Sequence, residues 1–463
     1  MIDLTKYNKI YFIGIGGISM SGIAVILKRW DFTILGSDRN ESPQTDWLKK
    51  QGIEVYIGHN ADNIKSDIEL VVFTAAIKND NPELIKAKEL GIPCIERGKF
   101  LGELTKLYKD TIGVAGTHGK TSTTSMLALS FVAANYDPSV QVGAFLKNLK
   151  GNYRIGSSDY FIIEACEYND SYLNFKQRSA IVLNVDDDHL DYFKNLDNIQ
   201  KSFEKYVSLL PEDGFLVLNR DDERCFELRN HTKAQVISVG SDNRADWYYK
   251  NVTYDHDGYP SFELYHYNEY VDKVSLKVLG KHNVFNSLCC IAMCDAYGIS
   301  IKIVKSALLN YTGAVRRLQY KGLFKGAKVY DDYGHHPTEI KATINAIKQI
   351  KYNKSWVVFE AHTYSRLKEH LLEFVEALTH VDNIIVMDIY AAREINTFNI
   401  KEDDVVNELK KRNKNAIHIS DYNKIVEFLR DNVHVNDLIL TLGAGNVTKV
   451  SDLLIDKTTS KIN

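Results

Sequence analysis

Short apolar, β-branched runs recur along the chain, and most are followed by a glycine or carboxylate turn and then by helical spacing. The first such cycle is a strand at 9–13, the turn Gly14-Ile15-Gly16-Gly17, a helix over about 19–30, a strand at 32–35 and then Gly36-Ser37-Asp38. Buried strands alternating with helices predict a parallel sheet covered on both faces. More strands are expected at 55–57, 70–73 and 93–95, with helices over 82–90 and 97–107. A second cycle opens with a strand at 111–115 and passes through Gly116-Thr117-His118-Gly119-Lys120-Thr121. It turns helical from Ser122, with Met126, Leu127 and Leu129 as apolar positions. Strands at 160–163, 180–184 and 214–218 follow. Between about 245 and 279 the period changes to two, with turns at Asp257-Gly258 and Asn268-Glu269, which predicts antiparallel hairpins flanking the sheet. Helices over 283–297 and 302–309 precede a third alternating segment, with strands at 328–330, 356–359, 384–387 and 438–442. The expectation is an α/β protein in three segments, 1–107, 108–311 and 312–463: Rossmann-like, phosphate-loop and again Rossmann-like.

The turns carry the chemistry. A strand, a glycine turn and a helix start at Gly116–Ser122 make an anion site, because free N–H groups at a helix N-terminus point into the turn. Lys120 adds a point charge, and the Thr121 hydroxyl suits Mg²⁺ beside a triphosphate. The usual phosphate loop has its first glycine five residues before the second. That position is Val114 here, and the glycine comes at Gly116, so the loop is a shortened G-x-x-G-K-T. Strand 160–163 ends in Glu164-Ala165-Cys166-Glu167, and strand 180–184 ends in Val185-Asp186-Asp187-Asp188-His189. Strand C-termini line the ligand crevice of an open parallel sheet, which puts Glu164 and the Asp186–His189 cluster near the phosphates, where carboxylate and imidazole read as Mg²⁺ ligands. A solvated acidic turn is the plainer alternative for Asp186, Asp187 and Asp188. In the first segment the third glycine of a dinucleotide fingerprint would fall at Ser19, so the turn argues for phosphate more than for NAD. His282, Asn283 and Asn286 open a helix, where they can cap it or read an adenine edge. Adjacent His335 and His336 make poor co-ligands, and no metal is expected on that pair.

A length of 463 residues implies two to four domains. A formal net charge of −3 excludes a generally basic surface for nucleic acid or membrane. Six scattered cysteines without a C-x-x-C pair argue against a disulfide framework or zinc site and fit a reducing cytoplasm. The opening MIDLTKYNKIYF lacks the pattern of a signal peptide, and no apolar run reaches membrane-spanning length.

The chain resembles the Mur ligases of bacterial cell-wall synthesis. The likeness rests on GIGGISMSGIA (14–24), GSD (36–38), TAAI (74–77), GTHGKTSTT (116–124), EACEYNDSYL (164–173) and DDDHLDYF (186–193). It continues through GKHNVFN (280–286), RR (316–317), DDYGHHPTEI (331–340) and GAGN (443–446). The resemblance implies a first domain holding the UDP part of a sugar nucleotide, a central ATP domain, and a last domain that closes over both and supplies the amino-acid site. It implies ATP-dependent amide formation between L-alanine and the lactyl carboxylate of UDP-N-acetylmuramate through an acyl phosphate, with Mg²⁺, in a cytoplasmic monomer or homodimer that binds neither nucleic acid nor membrane. By resemblance the catalytic set is Lys120, Glu164, His189, Arg317 and His335, and the metal ligands are Thr121, Glu164 and His189. Gly116, Thr117, His118, Gly119, Lys120, Thr121, Ser122, His282, Asn283, Asn286, Arg317 and Asp332 would meet the nucleotide. Gly14, Gly16, Gly17, Ser37, Asp38 and Thr74 would meet the UDP end, and Tyr333, His335, His362 and Arg366 the alanine end. Thr363 stands where a second arginine is frequent, and no modified lysine is expected near the metals. The alternatives are a ligase recycling an intact tripeptide onto the same sugar nucleotide, a catalytically silent UDP-sugar sensor, and an NAD oxidoreductase with an appended ATPase domain.

Overall fold

The computed structural model describes residues 3–74, 76–149, 151–392 and 394–459, so Ala75 of the 74–77 motif lies outside the described residues. Five parallel strands, β1 (Lys9–Ile13), β2 (Thr33–Asp38), β3 (Glu54–Ile57), β4 (Leu70–Phe73) and β5 (Cys94–Glu96), form the first sheet in the order β3-β2-β1-β4-β5. Alternation fixes its two faces. Ile10 and Phe12 of β1 enter one apolar cluster, and Tyr11 and Ile13 enter the other. Helices α1 (Ile18–Arg29), α2 (Pro43–Lys50), α3 (Pro82–Glu89) and α4 (Arg97–Thr105) connect the strands. The order reverses at β1, which sets the Gly14 turn at the switch point where doubly wound sheets bind ligands.

The second sheet is built around β6 (Asp110–Ala115), which is entirely buried. With β7 (Ser139–Leu146), β8 (Gly151–Arg154), β9 (Tyr160–Glu164), β10 (Ser179–Val182), β11 (Phe215–Asn219) and β12 (Gln235–Gly240) it runs in the order β12-β11-β10-β6-β9-β7-β8. All pairs are parallel except the β7–β8 hairpin. Helix α5 (Lys120–Ala133) follows β6, so the loop between them opens at the shared C-terminal edge of β10, β6 and β9. Where flanking hairpins were expected, strands β13 (Trp247–Tyr254), β14 (Pro260–His266) and β15 (Glu269–Ser275) continue this same sheet past β12 in the order β15-β14-β13-β12, making ten strands, and β13 pairs in parallel with β12.

The third sheet comprises β16 (Gln319–Phe324), β17 (Ala327–Asp332), β18 (Ser355–Phe359), β19 (Asn383–Val386), β20 (Asn415–His418) and β21 (Leu438–Leu442), ordered β16-β17-β21-β18-β19-β20. Only β16 runs antiparallel to its neighbour. Val357 and Phe359 face one cluster and Trp356 and Val358 the other, so both faces are covered. The chain divides into two compact units. One holds 1–248 with 266–269 and 286–307, and the other holds 249–265, 270–285 and 308–463. Among the described residues no helix is long and apolar enough to cross a membrane.

Sequence pattern missed β7, β8, β12, β16 and β20. The segment containing Val142-Gly143 reads as a loop because Gln141 and Gly143 interrupt its apolar pattern, yet it pairs in parallel with β9. β8, with the sequence GNYR, lacks alternation and exists through its partner β7.

Candidate active site

Strand β6 carries the chain into the loop 116–119, where Gly116 (φ 125°) and Gly119 (φ 86°) take left-handed backbone that other residues resist. A Cβ at Gly119 would lie 2.8 Å from Asn286 Oδ1, so glycine also permits that close approach. Asn184, just past β10, clamps the loop. Its Oδ1 accepts from His118 N–H at 2.8 Å, and its Nδ2 donates to the His118 carbonyl at 3.1 Å. His118 Nε2 lies 3.1 Å from Asp186 Oδ2, and Asp188 accepts the His189 N–H. Asp186 and Asp188 therefore shape the turn after β10.

Lys120 starts α5, and its ammonium donates to the carbonyls of Gly116 (2.5 Å) and Thr117 (2.9 Å) and to both oxygens of Glu167 (2.9 and 3.2 Å). Burial opposes its charge, but Glu167, helped by Cys166 and Glu164, outweighs burial and holds the ammonium above its ordinary range. Thr121 Oγ1 lies 3.1 and 3.0 Å from the two Glu164 oxygens, and Gly143 N–H donates to Glu164 Oε2 at 2.7 Å. This hydroxyl and carboxylate at the loop form an oxygen donor pair suited to a hard divalent cation. His189, at φ 56°, brings Nε2 to 4.0 Å from Glu167 Oε1 and leans on Tyr168. Ser122 is half-buried in the first turn of α5. The structure thus gathers Gly116 to Ser122, Glu164 and His189 at one strand edge. Glu167, which joins Lys120 to His189, was not assigned from sequence.

The residues expected at the UDP end form a second group in the same unit. Gly14 and Ile15 N–H groups both donate to the Ser37 carbonyl, at 2.8 and 2.9 Å. Gly16 N–H donates to Asp38 Oδ2 at 2.8 Å, and Gly17 caps α1. A Cβ at Gly14 would meet Thr74 Cγ2 at 2.7 Å, so Thr74 closes over the turn. Between this group and the phosphate loop lies a cavity of about 180 Å³, lined by Ser19 and Arg97 on one side and by Gln141, Gly143, Glu164 and Cys166 on the other. Ser19 accepts from both Arg97 Nη1 (3.3 Å) and Gln141 Nε2 (2.5 Å). Neither was a candidate from sequence, because each reads as an ordinary surface residue there.

Cys166 borders this cavity, but burial, and after it the charge of Glu167, pushes its thiol up to about 11. Alkylation of Cys166 by iodoacetamide, followed by mass spectrometry of its peptide, is therefore expected to be slow at pH 7.5. The rate should rise ~10-fold per pH unit towards pH 11, because only the thiolate reacts. Rapid modification at pH 7.5 with a flat pH profile contradicts this.

The second unit holds its own convergence. Asp332 at the end of β17 is buried and accepts from Leu318 N–H (2.6 Å), Gly334 N–H (2.8 Å) and Thr343 Oγ1 (3.1 Å). Burial raises its carboxyl above the usual range although Arg317 opposes this. Arg317 Nη1 lies 3.7 Å from Glu339, and its guanidinium lies over the Tyr333 ring. Tyr333, His335 and His362 follow one another at ring separations of 5.5 and 5.4 Å, and Arg366 Nη1 lies 3.1 Å from His362 Nδ1. Arg316 reaches the carbonyls of Gly443 and Gly445, which pins the 443–446 turn. His335 faces Glu339, whereas His336 caps the helix Pro337–Ile347, so the adjacent histidines serve different ends. Thr363 caps the helix Tyr364–Glu369. His282 and Asn283 belong to this second unit, with the Asn283 amide 3.2 Å from His282 Nε2, whereas Asn286 belongs to the first.

Three family descriptions match the chain in order: Mur ligase family, catalytic domain, over residues 9–109; Mur ligase middle domain, over 114–294; and Mur ligase, glutamate ligase domain, over 316–445. The chain belongs to the Mur ligase family. It has that family's three-domain architecture, one domain for each sheet. Among Mur ligases it is 44% identical to the UDP-N-acetylmuramate–L-alanine ligase of Acetivibrio thermocellus, over 98% of this chain and 97% of that protein. It is 43% identical to the ligase of the same name from Caldanaerobacter subterraneus, over 98% and 99%. The crystal structure of UDP-N-acetylmuramate-alanine ligase from Thermotoga maritima superposes with a TM-score of 0.83 at 27% identity, covering 98% of this chain and 99% of that one.

Proposed function

We propose that this Mur ligase uses ATP to join L-alanine to the lactyl carboxylate of UDP-N-acetylmuramate, giving ADP and phosphate, in the assembly of peptidoglycan precursors. The observation that carries this reading is the likeness, along 98% of the chain, to ligases named for that reaction. The geometry of the phosphate loop supports it. Ligation through an acyl phosphate brings a substrate carboxylate to a triphosphate, and the resulting repulsion between anions is the main barrier. Lys120 and the loop N–H groups supply fixed positive charge there.

In the first step a carboxylate oxygen bonds to the γ-phosphorus and the bond to ADP breaks. In the second, the alanine nitrogen attacks the acyl carbon, the C–N bond forms, and phosphate leaves with the C–O pair. The amine must be neutral to attack, and the imidazoles of His335 and His362 are the groups offered for its proton. Arg366 beside His362 gives a positive charge for the alanine carboxylate. Thr121 and Glu164, with His189, would hold Mg²⁺, and the hydroxyl and carboxylate oxygens of the first two fit that hard ion. When bound, Mg²⁺ would neutralise charge on the transferring phosphoryl group. Gly116–Ser122 with Asn286, His282 and Asn283 are assigned to ATP, joined by Arg317 and Asp332. Gly14, Gly16, Gly17, Ser37, Asp38 and Thr74 are assigned to the UDP end. The corresponding domain limits are 1–107, 108–311 and 312–463, supported by the succession of the three sheets. ATP and a nucleotide-sugar precursor as substrates fit a cytoplasmic enzyme.

Phosphate release should require ATP, UDP-N-acetylmuramate and L-alanine together, and a UDP-sugar lacking the lactyl group should give only background. Equal turnover without the lactyl carboxylate would overturn the acyl-phosphate route. Turnover with a tripeptide but not with alanine would favour the recycling reaction.

A further inference from the structure

We infer that Glu83 is a positioning residue for the UDP end of the sugar-nucleotide site and acts through Ser37 and His59. The inference rests on the functional reading above and adds to it a group outside the glycine turn. Glu83 lies in the first turn of α3, and its side chain has 0% exposure. A carboxylate so buried is tolerated only when donors surround it. Five donors do. Oε1 receives Tyr11 Oη (2.9 Å), Asn63 Nδ2 (2.7 Å) and Asn60 N–H (3.4 Å). Oε2 receives Ser37 Oγ (2.5 Å) and lies 3.0 Å from His59 Nδ1.

The two oxygens therefore divide the work. Oε1 is tied to scaffold: buried Tyr11 in the middle of β1 and the turn 60–63. Oε2 holds the two groups at the C-terminal edge of β2 and β3, the edge where this sheet carries its glycine turn. Ser37 is the pivot. Its carbonyl seats the N–H groups of Gly14 and Ile15, and its hydroxyl is fixed by Glu83. His59 donates to a carboxylate only through a protonated Nδ1, so Glu83 also sets which ring nitrogen is left to face outward. The His59 side chain keeps 17% exposure and can meet a ligand, whereas Glu83 cannot. Capping α3 does not need Glu83, because Asn81 accepts the first free N–H groups of that helix.

Binding of UDP and of UDP-N-acetylmuramate is measured by calorimetry, with steady-state kinetics, for the unaltered protein and for Glu83→Gln, Tyr11→Phe, His59→Ala and the Glu83→Gln/His59→Ala double variant. Glu83→Gln should weaken UDP binding and raise the KM for the sugar nucleotide by about 10-fold, the size of one lost charge-assisted hydrogen bond. Its kcat at saturation and its KM for ATP should hold within ~2-fold, since the charge acts on ground-state placement. Tyr11→Phe, which loosens only the scaffold side, should lower Tm without that rise in KM. In the His59→Ala background Glu83→Gln should add much less than it does alone. Equal UDP affinity in Glu83→Gln, or an equal KM rise in Tyr11→Phe, would overturn the inference. A second measurement needs no variant: ¹⁵N spectra of the histidines should show His59 protonated at Nδ1, and a proton on Nε2 alone refutes the arrangement. An unaltered protein that binds no UDP overturns the functional reading and this inference together. UDP binding that is indifferent to Glu83 overturns this inference alone.

Discussion

Replacing Lys120 by alanine should lower kcat for ligation by about 10³-fold or more, the scale of losing a fixed charge aimed at a transferring phosphoryl group. The affinity for UDP-N-acetylmuramate should stay within ~2-fold, because uniform substrate binding would not be touched. The reason is architectural. Lys120 sits at the C-terminal edge of the second sheet, whereas the glycine turn, Ser37 and Asp38 belong to the first. One complication is built into the site. Glu167 is 2% exposed, and removing Lys120 leaves its carboxylate without that partner. A stability loss on the order of 3 kcal/mol follows from stranding a buried charge. Adding Glu167→Gln to Lys120→Ala should restore much of the lost Tm and none of the lost turnover. If the double variant regains activity, Lys120 serves the loop's folding and not the phosphoryl transfer. If Lys120→Ala loses sugar-nucleotide binding outright, the assignment of the two sheets to two substrates is wrong.

How much of this was legible in the sequence depends on the range of the interactions. The cycles of strand, turn and helix were readable because strands buried on both faces, such as Asp110–Ala115, are nearly continuous apolar runs. The glycine turns were readable because left-handed backbone at Gly14, Gly116 and Gly119 demands a residue type. Edge and interrupted strands were not, since Gly151–Arg154 has no alternation of its own and is held by its hairpin partner β7, and Asn415–His418 owes its conformation to β19, a neighbour distant in sequence. The same limit applied within the site. Thr121 and Glu164 are 43 residues apart, and only the β6–β9 pairing brings them together; the rule that strand ends share an edge anticipated this. Glu83 had no such signal. An acidic residue two positions after Asn81 is ordinary helix-start chemistry, and nothing local says that its carboxylate turns inward to β1 and β2. Asp38 shows the reverse. Its place after β2 suggested a ligand contact, and the structure shows its carboxylate already accepting the Gly16 N–H, so it shapes the turn as well.

Glu164→Gln should leave the fold intact and cut kcat by about 10²-fold, with the Mg²⁺ concentration for half-maximal activity raised ~10–100-fold, as when a carboxylate at a metal site loses its charge. Glutamine keeps the shape and can still accept from Thr121 Oγ1 and from the Gly143 N–H, so the change tests charge and not packing. A second variant reaches the same carboxylate from its other side. A Cβ on Gly143 would lie 2.9 Å from Glu164 Oε1, too close to be accommodated without moving one of the two. Gly143→Ala should therefore shift the Mg²⁺ titration in the same direction with the charge intact, and less than Glu164→Gln does. The UDP affinity measured without Mg²⁺ should be unchanged in both. An unshifted Mg²⁺ curve in Glu164→Gln would remove this carboxylate from the metal set. A shift in Gly143→Ala alone would mean that the β7 backbone, and not the Glu164 charge, governs the ion.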